Sequence, residues 1–409
     1  MLSAEEKRVL SYINEDELIR WTQDLVRIPS VYRPDQNEAE EPAAQWVMEK
    51  CRAVGLETHW EMVAPKRPNV VALFGRPGGK CLMFEGHIDV VTEGDRSAWK
   101  HDPFGAEIAD GRIYGRGSND MKGGLVAAMI AIKAIKESGV KLDGEILLAA
   151  VCDEEGHMIG IKHFVQQGWA KRVSACVVCE PEENHLCISQ KGVLWVKIRT
   201  LGKMCHGAMP LTGINPMVHM AQLLVELKQL EAAEIARLDK DPFLGQPSIS
   251  PTALRSPVEG AGEEQKNVIP AVCRATLDMR LIPGQTPEDM VAKIRAIFDT
   301  LKAQDPTFQA ELEIVEARPP TATPKTEPVV MTLDAAVRDV AGREPVYGGV
   351  PGTTDGTILH AWAGVPIVTC GPGDIHIPHH IDEYLDIDQL VEAAKLYVVT
   401  ALRYLGQSS

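Results

Sequence analysis

The stretch GEILLAAVCDEEG (residues 144–156) decides the fold. It leaves one glycine, runs through unbroken apolar residues, and stops on Asp153, Glu154 and Glu155 before the next glycine. A short apolar run bounded by turn residues reads as a strand buried on both faces, as in a parallel sheet covered by helices. Carboxylates at its end suit such a sheet, because open α/β sheets place their chemistry outside the carboxyl ends of the strands. The pattern recurs. KCLMFEGHIDVV (80–91) ends on a histidine and an aspartate, SACVVCEPEE (174–183) ends on glutamates, and NVVALFG (69–75) is a further buried run. Helical patterns lie between them. Residues 14–31 place Leu18, Trp21, Leu25 and Val26 on one face, residues 41–55 stop at Gly55, and GGLVAAMIAIKAIKESG (123–139) is Ala-rich and closed by Gly139.

The texture changes near Gly192. VLWVKIRTLG, PSISPTALRS, CRATLDMRL and FQAELEIVEA read as strands, with helices from Pro216 and Pro287 between them. The order β-α-β-β-α-β is a ferredoxin-like unit. After RPPTATP the α/β texture returns, with a helix near 328–342, the strand GVPIVTC and a closing helix from Ile387. The expected organisation is therefore a discontinuous α/β domain, residues 1–191 and 318–409, interrupted by an insert at 192–317. A chain of 409 residues fits two domains better than one core.

Composition removes several partner classes. The chain is 45% hydrophobic and 24% charged, with a formal charge of −15. That balance argues against nucleic acid and anionic membrane as partners. No apolar run reaches a membrane span, and the N-terminus lacks the basic start and apolar core of a signal peptide. Nine cysteines without framework spacing suit a reducing cytosol. The CVVC stretch (176–179) has zinc-knuckle spacing but no second pair, so it reads as core packing.

The polar strand ends carry the functional signal. His87 and Asp89 stand at i and i+2, so an extended chain would point them the same way. A carboxylate there could fix the imidazole for metal binding; for this pair alone, a strand-end histidine beside a solvated aspartate is the stronger reading. GRGSNDMKGG (115–124) puts Asp120 on a Gly-rich turn before a helix, without either phosphate-loop spacing. Glu154 and Glu155, as neighbours on an extended chain, would face opposite ways and could take different roles. Glu180 closes another strand. IHIPHHIDEYL (375–385) crowds three histidines before Asp382 and Glu383, and alone fits a metal-binding tail, a catalytic base or a polar loop.

Taken in order, GHIDVV, GRGSNDMKGG, DEEG, EP and a C-terminal H-x-x-[DN]-E resemble the dinuclear-zinc amidohydrolase family of succinyl-diaminopimelate desuccinylase, acetylornithine deacetylase, aminoacylase and glutamate carboxypeptidase. The resemblance spans nearly the whole chain, insert included. It implies a zinc-exopeptidase-like α/β catalytic domain, with a central mixed sheet flanked by helices, and an inserted ferredoxin-like lid and dimerisation domain. It selects His379 from the histidine-rich stretch and leaves His376 and His380 to loop or supporting roles. By the resemblance, His87 and Glu180 hold one metal, Glu155 and His379 the other, and Asp120 bridges both. Three carboxylates against two divalent ions leave a single positive charge, which a bridging hydroxide cancels. Imidazole and carboxylate without thiolate suit zinc, with cobalt or manganese as alternatives.

The resemblance further makes Glu154 the general base and Asp89 the partner of His87. His206 becomes an oxyanion donor reaching a partner subunit's site, Asn267 and Arg280 a grip on a substrate carboxylate, and Thr354 in GTTDG a substrate-side hydrogen bonder. Read alone, His206 is a loop histidine, Asn267 a turn asparagine and Arg280 a surface arginine. The expected protein is a cytoplasmic homodimer that cleaves the amide bond of an N-acyl amino acid or a small peptide bearing a free carboxylate. Two alternatives stay open: the same metal chemistry on an unusual C–N bond, such as an aryl amine or xenobiotic amide, and a catalytically silent binding relative.

Overall fold

A computed structural model describes residues 1–257 and 265–406. The chain divides into two compact units: residues 1–188, 323–349 and 354–409 form one, and residues 189–322 with 350–353 form the other.

In the first unit, the run 144–156 folds as the strand Glu145–Val151, buried at every position. It pairs parallel with Cys81–His87 and antiparallel with Arg67–Gly75, which in turn pairs antiparallel with Glu57–Ala64. On the other side, Cys81–His87 runs parallel to Ala175–Pro181, and that strand runs parallel to Ile367–Gly371. The sheet is thus mixed, with parallel strands at its centre. One face packs Met83, Leu147 and Cys176 against Ile161 and Phe164 of the helix Ile159–Gln166 and against Ile358 and Leu359 of the helix Asp355–Ala363. The helices Gly123–Glu137 and Ile387–Leu405 belong to the other face, where Phe84 meets Tyr397 at 5.1 Å between ring centroids. Helices on both faces explain why the central strands are continuous apolar runs rather than alternating ones.

Several elements end earlier than the sequence suggests. The helix expected over 14–31 spans Glu15–Val26, stopping ahead of Pro29. The strand expected over 80–91 ends at His87, and Glu154 and Glu155 lie on a turn beyond Val151, entered through Asp153 at φ +67°. The i, i+2 and alternation arguments for these residues therefore do not describe their geometry. CVVC lies in the buried strand Ala175–Pro181, and Cys176 and Cys179 are free.

The second unit is an antiparallel sheet in the order Ser248–Arg255, Val272–Leu281, Gly192–Leu201, Gln309–Arg318. The helices Pro216–Arg237 and Pro287–Gln304 complete a β-α-β-β-α-β order. Val196, Ile198, Leu277 and Met279 point into one core with Leu223, Leu227 and Ile294 of the helices. The unit extends to Ser189 and Ala322, slightly wider than 192–317, because Thr321–Ala322 pairs with Ser189 and Gln190. Lys191 N also donates to Val350 O at 3.1 Å.

Candidate active site

The polar strand ends of the first unit converge. His87 is the last residue of its strand and Glu180 sits near the end of the neighbouring one. Asp120 stands on the segment Ser118–Lys122, just before the helix Gly123–Glu137. That helix can lie close to the sheet because residue 124 is glycine: a Cβ there would meet Cys179 O at 2.0 Å. His87 Nε2 lies 3.0 Å from Asp120 Oδ1 and 3.6 Å from Glu180 Oε1. His379 Nε2 lies 2.9 Å from Glu155 Oε1 and 3.4 Å from Asp120 Oδ2. Asp120 therefore touches both histidines through different oxygens. Donor atoms of His87, Asp120 and Glu155 lie within 4.8 Å of one another, as do those of His87, Glu154 and Glu180. His376 and His380 are exposed members of the same loop.

Backbone contacts hold these groups. Asp89 Oδ1 accepts from Glu154 N and Asp89 Oδ2 from Glu155 N, each at 3.1 Å. His87 Nδ1 is 2.9 Å from the Asp89 carbonyl oxygen, which as an acceptor leaves Nε2 as the nitrogen for a ligand. Glu383, fully buried, accepts from Gly117 N, Asn119 N and Asp120 N at 2.9, 3.0 and 3.1 Å and pairs with Arg116. Arg116 Nη2 donates to His379 O at 3.2 Å, so this pair ties the Asp120 segment to the His379 loop. Under the Glu154 turn, Arg67 donates through Nε to both Glu40 oxygens at 2.9 Å and pairs with Asp153 at 2.6 Å. Sequence reasoning missed the Glu40–Arg67–Asp153 triad, the Asp89 clamp on main-chain N–H groups, and the anchoring role of Glu383 and Arg116.

The electrostatics are those of a site built for cations. Burial pushes Glu154 and Glu180 well above the usual carboxylate range, opposed by His87 and reinforced by neighbouring acids. Burial also acts to raise Asp120, but contacts with His379 and His87 outweigh it and hold Asp120 below its ordinary value. His379 is raised to about 10 by Asp120 and Glu155. Buried acids crowding two imidazoles form a hard, thiolate-free donor set that fits divalent ions, which would take the place of the protons the histidines otherwise carry.

Thr354 caps the helix Asp355–Ala363, its hydroxyl accepting from Gly356 N at 3.2 Å. His206, Asn267 and Arg280 belong to the second unit. His206 is exposed on the short strand Cys205–His206, opposite Val268, with Nδ1 accepting from Ala208 N at 3.0 Å. Asn267 O accepts from Gly207 N at 2.7 Å. The Arg280 fork is engaged by Asp278, at 2.9 and 3.1 Å.

An α/β sheet with acid and imidazole donors gathered at its strand ends offers the kind of ligand set that divalent ions take. The chain belongs to Peptidase family M20/M25/M40, whose model matches residues 83–403. It is 30% identical to succinyl-diaminopimelate desuccinylase of Methylobacterium radiotolerans over 93% of this chain and 95% of that one. It is 27% identical to N-formyl-4-amino-5-aminomethyl-2-methylpyrimidine deformylase of Bacillus subtilis, over 94% and 93% of the two chains. Its fold matches an M20 family metallo-carboxypeptidase of Sulfolobus solfataricus with a TM-score of 0.75, at 21% identity and covering 95% and 99%. The chain is accordingly a hydrolytic enzyme acting on C–N bonds. Among the described residues, no helix is long and apolar enough to cross a membrane.

Proposed function

We propose that this enzyme hydrolyses the amide bond of an N-acyl amino acid or a small peptide with a free carboxylate, using two divalent ions and Glu154 as general base. The observation that carries the reading is the placement of Glu154: it shares a donor cluster with His87 and Glu180, while its neighbour Glu155 contacts the His379 side. His87 and Glu180 would hold one ion, Glu155 and His379 the other, with Asp120 between them. Divalent ions in these positions would polarise the scissile carbonyl and lower the pKa of bound water. Glu154 accepts the proton from the attacking water and delivers it to the leaving nitrogen. Asp89 fixes the Glu154 backbone, and so the direction from which the carboxylate approaches. Zinc suits the donor set, with cobalt and manganese as the alternatives to test.

The same proposal extends to the insert as a lid and dimerisation domain of a cytoplasmic homodimer, with His206 donating to the oxyanion in the partner subunit. Arg280 and Asn267 would receive the substrate carboxylate. Arg280 would then exchange Asp278 for the substrate, a swap between like ligands of a guanidinium fork. Thr354 would add a hydrogen bond to substrate.

The second reading is an unusual C–N bond. What favours it is the deformylase relative, whose name describes an N-formylated aminomethylpyrimidine. The test for both is turnover of formyl-, acetyl-, succinyl- and aroyl-amino acids, dipeptides and N-formyl arylmethylamines in zinc, cobalt and manganese. Turnover confined to substrates bearing a free carboxylate supports the first reading; turnover confined to the uncharged formamides supports the second and rejects the first.

A further inference from the structure

His379 sits on a loop that burial does little to hold. Ile375, His376, His379, His380 and Ile381 are all exposed. His379 and Asp382 both take left-handed backbone, at φ +67° and +56°. That conformation is uncommon in a residue with a Cβ, even in histidine and aspartate, which take it more readily than most. It needs surrounding contacts to keep it. Asn119 Nδ2 donates to Asp374 O at 3.1 Å, and Arg116 Nη2 to His379 O at 3.2 Å. Beyond His379 the tie is Asp382, whose Oδ1 accepts from Lys100 N at 2.7 Å and from His101 N at 3.3 Å. Among the described residues, these are the hydrogen bonds that residues 380–382 make outside the loop.

Aspartate often bonds main-chain N–H groups close to itself in sequence. Here the contact with Lys100 crosses 282 residues. It lands on a firm platform. Trp99 is buried and donates through Nε1 to Glu93 O at 2.9 Å. Its ring centroid lies 5.3 Å from the Arg116 guanidinium, the group that also reaches His379 O. The His101 ring stacks on Tyr114 at 4.0 Å between centroids, and Tyr114 stands opposite Tyr384 in a small sheet. Residues 99–101 are thus fixed from both sides, and Asp382 clips the loop to them. Both bonds fall on one oxygen, so the contact asks for an acceptor rather than for a charge.

We propose that Asp382 is a positioning residue: it holds the His379 loop so that Nε2 stays beside Glu155 Oε1, 2.9 Å away, for the ion those two residues share. The inference rests on the two-ion reading above and adds a division between the ions. Asp382 supports the ion of His379 and Glu155. His87 and Glu180 stand instead on the strands Cys81–His87 and Ala175–Pro181, which the Asp382 hydrogen bonds do not reach.

The test is the release of zinc from the loaded full chain to a chromogenic chelator, followed in time for Asp382→Ala, Asp382→Gly and Asp382→Asn. Ala and Gly both remove the acceptor, and Gly takes positive φ freely. Each should release one zinc ion about tenfold or more faster than the unmutated chain, the scale of loss when a residue that orients a ligand is removed. The other ion should leave at its unmutated rate. Asn keeps an acceptor oxygen and tolerates left-handed backbone, so both ions should leave that variant at unmutated rates. Fewer than two zinc ions on the unmutated chain would defeat the two-ion reading, and this inference with it. With two ions held, the inference alone is overturned by unchanged release from the Ala variant or by equal acceleration of both ions. It is overturned as well if the Gly variant behaves as the unmutated chain, which would assign Asp382 to backbone conformation, or if the Asn variant releases zinc as fast as Ala, which would assign it to charge.

Discussion

The two carboxylate oxygens of Asp89 each accept one backbone N–H, from Glu154 and Glu155, at 3.1 Å. A single buried side chain thus sets the direction of both the proposed base and a proposed metal ligand. Asn at this position keeps one acceptor oxygen but turns an NH₂ toward the second N–H. An unsatisfied buried donor costs roughly 1–3 kcal/mol. Asp89→Asn should therefore lower kcat by about 5- to 150-fold, with a smaller change in KM, as the base loses its aim. Steady-state kinetics check this, and an unchanged kcat would show that the turn holds its shape without Asp89.

Arg67 joins Glu40 and Asp153 in a triad whose members are all less than a tenth exposed. Burial raises Glu40, and the contact with Arg67 opposes that rise. Arg67→Met leaves two acids buried without their cation. Breaking a buried pair from one side costs about 3–5 kcal/mol. The urea midpoint should fall accordingly, and Glu40→Gln in the Arg67→Met background should recover part of it. No recovery would mean that Arg67 acts by packing against Tyr32, whose ring centroid lies 3.8 Å away.

His379 and His380 separate the proposed ligand from its neighbour. His379→Ala removes a donor 2.9 Å from Glu155 and should lower metal occupancy, because an ion short of its preferred ligands binds more weakly. His380→Ala should leave occupancy near that of the unmutated chain. Plasma emission spectroscopy decides, and equal loss in both variants would defeat the ligand assignment.

Glu234 gives the second unit an acid-sensitive anchor. Arg237 foremost, then Lys293 and Gln285, lower it to about 2 from 4.5, against burial. A depressed carboxylate stabilises the fold above its unfolded pKa, and that stability is lost as pH falls through the folded value. Glu234→Gln should thus be less stable than the unmutated chain at pH 7. The difference should shrink as pH falls from about 4.5 to about 2, measured as the gap between thermal midpoints. A gap constant with pH would assign the effect to packing.

Much of the first unit was legible because its central strands are apolar runs with polar ends, a pattern that needs no partner to be read. Glu57–Ala64 was not, since a half-exposed strand at one end of the sheet carries no such run. GTTDG reads, by the resemblance, only as a substrate-side loop. Thr354 and Asp355 suit a helix N-terminus, and the helix Asp355–Ala363 begins there. Individual donor residues stood out only once their motifs were taken in order, because each alone resembles a solvated strand end. The Asp89 clamp and the Arg67 triad depend on where main-chain N–H groups and distant side chains meet, which local periodicity does not encode.

Glu154→Gln tests the central claim most directly. Glutamine preserves the shape of the side chain and removes the group that carries the proton. The purified variant should keep the unmutated metal content, folded and loaded with zinc, while kcat on the best substrate of the panel falls by roughly 10²–10⁴. Near-normal kcat at full metal content would contradict the account, because the proton would then be carried by some other group.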